Sequence, residues 1–209
     1  MTLDEALAAC PIVAILRGVG PEEVLDHAEA LFCAGVRAVE TPLNSPEPLE
    51  SVARLARAYG DRMAVGGGTV LNPAQVDALA EAGAAFIVSP NTDGEVIRQA
   101  LTRGLTPAPG FATATEGFAA LKAGARHLKL FPAEVLGPAH LKQLKAVLPP
   151  EAWILAVGGV GPADLALWRA AGARGFGLGG ELYRPGQTPE VTAEKARVAM
   201  AAVAAAQAL

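Results

Sequence analysis

Short apolar runs alternate along this chain with longer stretches of helical period. The apolar runs fall at residues 12–16, 36–41, 63–68, 85–89, 105–109, 127–131, 153–157 and 175–179. Each is brief and mostly apolar, the pattern of a parallel strand covered on both faces. Between them, segments such as VDALAEAG and LALWRAAG repeat apolar positions three and four apart, as a helix with one buried face does. Five helical segments run into a glycine placed to close them, at Gly35, Gly83, Gly104, Gly124 and Gly172. Pro21, Pro73 and Pro162 stand near helix starts, where a missing N–H costs little.

Eight β–α units of about 25 residues predict an α/β fold of the (β/α)8 TIM-barrel class. The competing arrangement is an open doubly wound sheet, which needs a Gly-rich phosphate loop after its first strand. ILRGVGPEE lacks the third glycine of such a loop. No linker or break in composition interrupts the pattern, so residues 1–209 read as one barrel domain. Residues 2–9 predict a short extra helix across the barrel bottom, and the Ala-rich C-terminal segment predicts a last helix.

Composition narrows the function. With 52% hydrophobic and 18% charged residues, the chain can bury a large core. A net charge of −4 without a basic run argues against nucleic acid as a partner. No apolar stretch approaches the roughly 20 residues of a membrane span. The start MTLDEALAAC has no basic n-region, and Cys10 and Cys33 form no C-x-x-C pair. Both features predict a reduced, cytoplasmic setting with no signal peptide and no zinc site.

A barrel enzyme works at the C-terminal ends of its strands. Arg17, Glu40, Thr69, Ser89-Pro90, Lys129, Val157-Gly158-Gly159 and Gly179-Gly180 stand there. Lys129 is the sharpest signal. Leu128 and Leu130 flank it, so alternation turns Lys129 into the barrel. Lysine is rarely buried without a reason, and desolvation leaves its amine neutral and nucleophilic. A purely structural lysine, paired inside the barrel with Glu40, is the alternative. Glu40 also ends a strand facing inward, where a carboxyl group can shuttle protons or serve only as an ion-pair partner. Arg17 offers a fork for a substrate carboxylate, or stands on the surface of its loop. The glycines at 158, 159, 179 and 180 suit a phosphate held by backbone N–H groups. Phe131 shares the inward face of Lys129 and packs on a ligand or in the core. His27, His127 and His140 fall on separate elements and predict no metal site. Three readings follow: a Schiff-base aldolase, a phosphate-barrel isomerase or epimerase with Glu40 as base, and a non-catalytic phosphosugar-binding barrel.

The motifs AILRG, VETPLNSP, VGGGTVLNPAQVDA, IVSPN, APGFATATE, HLKLFPAEVLGP, ILAVGGVGP and GLGGELYRPGQ occur in this order over most of the chain. In them the sequence resembles the 2-keto-3-deoxy-6-phosphogluconate and 2-keto-3-deoxy-6-phosphogalactonate aldolases. The resemblance implies a class I lyase with Lys129 as Schiff-base residue and Glu40 as proton donor and acceptor. It implies Arg17 and Thr69 at the pyruvyl end and the four glycines at the phosphate end; Pro90 at the end of the fourth strand, Phe131 on the inward face of Lys129 and Val157 at the end of the seventh are further candidates for the substrate site. It further implies a homotrimer with no cofactor, acting on a small phosphorylated keto acid, with 4-hydroxy-2-oxoglutarate as a further substrate. Two features depart from the gluconate type and lean to the galactonate type. Asn44 stands in TPLNSP where gluconate-type members often carry an arginine, and Val157 stands where they tend to have threonine. Gly180 stands where relatives often have serine.

Overall fold

The computed structural model describes residues 1–207 of the chain. Nine parallel strands are present among them: β1 (Ile12–Ile15), β2 (Ala38–Pro42), β3 (Ala64–Gly68), β4 (Phe86–Val88), β5 (Thr106–Ala108), β6 (Gly110–Phe111), β7 (His127–Leu130), β8 (Trp153–Val157) and β9 (Gly175–Leu178). They pair in the order β5-β4-β3-β2-β1-β9-β8-β7-β6. The two ends of that series, β5 and β6, flank Pro109 and are halves of one interrupted strand. The sheet therefore closes on itself as an eight-stranded barrel. The sequence pattern ends the fifth strand at residue 109, but the structure carries it to Phe111. Pro109 has no N–H to give to the ladder, so pairing stops there. It resumes when Gly110 and Phe111 align with Lys129 and Leu130.

The helices are α1 (Leu3–Ala9), α2 (Val24–Ala34), α3 (Pro48–Tyr59), α4 (Pro73–Glu81), α5 (Gly94–Thr102), α6 (Ala114–Lys122), α7 (Ala133–Lys145), α8 (Leu165–Ala170) and α9 (Pro189–Gln207). All five predicted terminal glycines adopt positive φ. Pro73 opens α4 and Pro162 opens a 3-10 turn ahead of α8. Pro21 instead lies in a turn before α2, where the Glu23 and Val24 amides both bond the Gly20 carbonyl.

Two apolar layers follow from strand alternation. Val39, Leu128, Leu130, Ile154 and Phe176 face the surrounding helices. Val13, Ala38, Phe86, Val88, Leu155 and Val157 fill the barrel interior together with Leu3 and Leu7 of α1. The first helix is thus the bottom plug that the sequence predicts. A reciprocal capping box between Thr2 and Glu5 starts it. With α1 packed into its bottom, the barrel opens at the C-terminal ends of its strands.

Candidate active site

The alternation that sends Leu128 and Leu130 to the helices turns Lys129 inward. Lys129 is 6% exposed, and its Nζ lies 4.5 Å from the centroid of the Phe131 ring. Glu40 comes from β2 by the same logic, since Val39 belongs to the outer layer. It is 2% exposed, and its Oε2 has no hydrogen-bond partner. Both side chains reach one small interior void, walled by Val13, Ile15, Val88, Leu155 and Val157. They share it without an ion pair between them among the described residues. The interior lysine–carboxylate bridge that the sequence left open is therefore not made.

Their electrostatics follow from burial. Desolvation pushes the Lys129 ammonium below its ordinary pKa, and Glu40 opposes this while Arg17 adds to it. Desolvation raises the Glu40 carboxyl, against the pull of Lys129 and then Arg17. Each group is pushed toward its neutral form. The shifts run in the direction that favours a nucleophilic amine beside a proton-donating carboxyl group.

Glu40 has room because its neighbour has no side chain. A Cβ on Gly68 of β3 would overlap the Glu40 carboxyl. In the sequence VGGG marks a strand and a motif, and no local pattern points to this contact.

Above the pair opens a cavity of about 650 Å³. Arg17, Lys129, Phe131, Val157, Gly158, Gly159, Gly179 and Gly180 all line it. Arg17 is exposed at its mouth and donates to Asn44 Oδ1 in the loop after β2. Thr69 and Pro90 follow β3 and β4 but do not wall the cavity. Thr69 sits in the left-handed region with φ 60°, and the Pro90 carbonyl crowds Gly110. The histidines stay apart. His27 packs edge-on against Tyr183, His127 lies at the barrel bottom, and His140 meets the Ala112 carbonyl.

The family model for KDPG and KHG aldolase matches residues 3–190. The chain belongs to that family. As an aldolase it is a lyase. It is 54% identical over 186 residues to the 2-dehydro-3-deoxy-6-phosphogalactonate aldolase of Escherichia coli (strain K12), covering 89% of this chain and 91% of that one. The solved "Native KDPGal structure" matches with a TM-score of 0.94 at 52% identity, over 95% of this chain and 97% of its own. The KDPG aldolase from Legionella pneumophila was solved with pyruvate captured as a covalent carbinolamine intermediate. It matches at a TM-score of 0.82 and 26% identity, over 94% of this chain and 96% of its own.

The aldolase cavity also contains residues that the sequence did not single out. Ile15 and Gly177 line its inner wall, and Glu181, Tyr183, Arg184 and Pro185 line its rim beyond β9. The only signal for the rim group is its place in GLGGELYRPGQ, which drew attention to the glycines alone.

Proposed function

We propose that this aldolase cleaves the C3–C4 bond of a 2-keto-3-deoxy-6-phospho sugar acid of the galactonate type, giving pyruvate and glyceraldehyde 3-phosphate. Arg17, aimed by Asn44, holds the substrate carboxylate at the cavity mouth. The Lys129 amine adds to the C2 ketone to form a carbinolamine. Glu40 protonates the carbinolamine hydroxyl, water leaves, and an imine remains. The Glu40 carboxylate then takes the C4 hydroxyl proton. The C3–C4 bond breaks, its electron pair passes into the imine as an enamine, and the aldehyde departs. Glu40 returns its proton to C3, and water releases pyruvate from Lys129. The backbone around Gly158, Gly159, Gly179 and Gly180 receives the phosphate, while Phe131 and Val157 wall the carbon chain. Thr69 has the resemblance alone behind it and Pro90 only its place at a strand end, since neither walls the cavity.

One observation carries this reading: a buried, unpaired lysine held toward its neutral form, sharing a void with a carboxyl group held toward its acid form. The galactonate preference is supported by the relative in Escherichia coli, by Arg17 at the site and by the aliphatic side chain of Val157. The same reading takes residues 1–209 as one barrel domain and the working form as a cytoplasmic homotrimer. Its substrate is a small phosphorylated keto acid, and nucleic acid and membrane have no part in it. No helix among the described residues is long and apolar enough to cross a membrane.

The decisive experiment is borohydride reduction in the presence of pyruvate, followed by peptide mass analysis. Label is expected on the peptide containing Lys129. Label on Lys122, Lys142 or Lys145 would overturn the assignment. Lys129→Arg should lose nearly all turnover, because a guanidinium stays protonated and forms no imine.

A further inference from the structure

Arg184 lines the same cavity as Lys129, together with Gly158, Gly159, Gly179 and Gly180. Its Nε donates to the Gly180 carbonyl over 3.1 Å, which ties the guanidinium to the turn after β9. Residue 180 has no side chain, and a Cβ placed there would lie 3.5 Å from the Arg184 Nε. The space beside Gly180 is thus occupied by the arginine. No carboxylate pairs with Arg184 among the described residues. Lys195 donates to the same Gly180 carbonyl over 3.2 Å, so two cations gather at this turn.

The segment that carries Arg184 is pinned on both sides. Tyr183 donates its hydroxyl to Glu23 Oε1 over 3.0 Å and packs its ring against His27. Pro185 rests on Gly18, where any side chain would strike the proline ring. The anchored neighbours fix the backbone that carries Arg184, and the bond to the Gly180 carbonyl restrains its side chain. One acidic group, Glu181, shares this rim and lies over Gly161. Its charge opposes a phosphate, and Arg184, three residues along the same rim segment, is a cavity-lining cation that offsets it.

We propose that Arg184 is a specificity-determining residue for the phosphate of the substrate. It supplies a charged, two-pronged donor beside backbone amides that carry no side-chain hydroxyl. This rests on the aldolase reading above, with the phosphate at the glycine end of the cavity. Charge-assisted hydrogen bonds are the strong class, and an arginine fork matches phosphate geometry as an ammonium does not.

The test compares kcat/KM for the phosphorylated keto acid and its dephosphorylated counterpart in wild type, Arg184→Ala and Arg184→Lys. The ratio of the two should fall about 10- to 100-fold in Arg184→Ala and recover in part in Arg184→Lys. Inorganic phosphate should inhibit the wild type more strongly than Arg184→Ala. An equal loss on both substrates would show that Arg184 only supports the turn, and would overturn the proposal. An unmoved ratio in an enzyme that prefers the phosphorylated substrate would overturn Arg184 alone. A wild type that cleaves both substrates equally well would overturn the phosphate reading itself, and Arg184 with it.

Discussion

Glu40 keeps its place because residue 68 lacks a side chain, and that contact makes a sharper probe than changing the acid itself. Gly68→Ala would push the Glu40 carboxyl away from the void it shares with Lys129. Proton exchange at the pyruvate methyl should fall by about 10²-fold or more, while borohydride still traps pyruvate slowly on Lys129. Exchange near wild type, in a protein with an unchanged melting curve, would show that another group moves the proton. Val157 is 6% exposed, on the inward face of β8. Its side chain cannot donate to a substrate hydroxyl, so discrimination between the C4 epimers should stay below about 100-fold. A hydroxyl that pairs with one epimer and is left unpaired with the other is worth about 1–3 kcal/mol. Val157→Thr should therefore shift the kcat/KM ratio toward the gluconate epimer, with some loss of stability because a buried hydroxyl needs a partner. A ratio that does not move means C4 is read elsewhere. The glycines that read alike in sequence differ in place. Gly159 has φ 72°, and Glu134 stands where its Cβ would go. Gly179 faces open space, with Ile15 Cβ as its nearest neighbour at 3.9 Å. Gly179→Ala is thus the variant that probes phosphate approach without straining the backbone.

Among elements, β7 joins the two ends of the barrel. It carries Lys129 at the mouth and, two residues earlier on the same face, His127 at the bottom. His127 is 3% exposed, faces Asp4 of α1 at 3.2 Å, and packs near the Trp153 ring. Desolvation lowers its pKa, against the pull of Asp4 and with that of Arg126. The imidazole therefore binds its proton less readily folded than unfolded. Its contribution to stability is fully present above the unfolded pKa of about 6.5. It is lost as pH falls through the lower folded value, because the unfolded chain then holds more protons. Urea unfolding should show stability declining below about pH 6.5, and His127→Gln should flatten part of that decline. His27, buried at 1% exposure and also lowered by desolvation, accounts for a further part. An identical slope in His127→Gln would place the titration elsewhere.

For the whole molecule, closure is the governing fact. Both ends of the sheet belong to one strand broken at Pro109, so no long open edge invites pairing with another chain. The homotrimer is carried by resemblance. Sedimentation velocity should find a species of three chains at micromolar concentration. A monomer at that concentration would remove the trimer from the proposal.

The eight strand positions, the bottom helix, the inward turn of Lys129 and Glu40 and the glycine helix ends were all legible in the sequence. Each is a local consequence of side-chain period, of alternation along a strand, or of a residue type that tolerates one backbone conformation. The continuation of the fifth strand past Pro109 was not legible, because it depends on which residues of β7 lie alongside. Nor was the relation between Lys129 and Glu40. They are 89 positions apart, and sequence allows a buried ion pair as readily as two groups that share a void without touching. Only the packed barrel separates those outcomes, by taking both groups out of water without bringing them into contact. The same holds for Gly68, Arg184 and the Tyr183–Glu23 anchor. Their roles rest on distances between strands or loops that no local pattern encodes, so they emerge only once the barrel has closed around them.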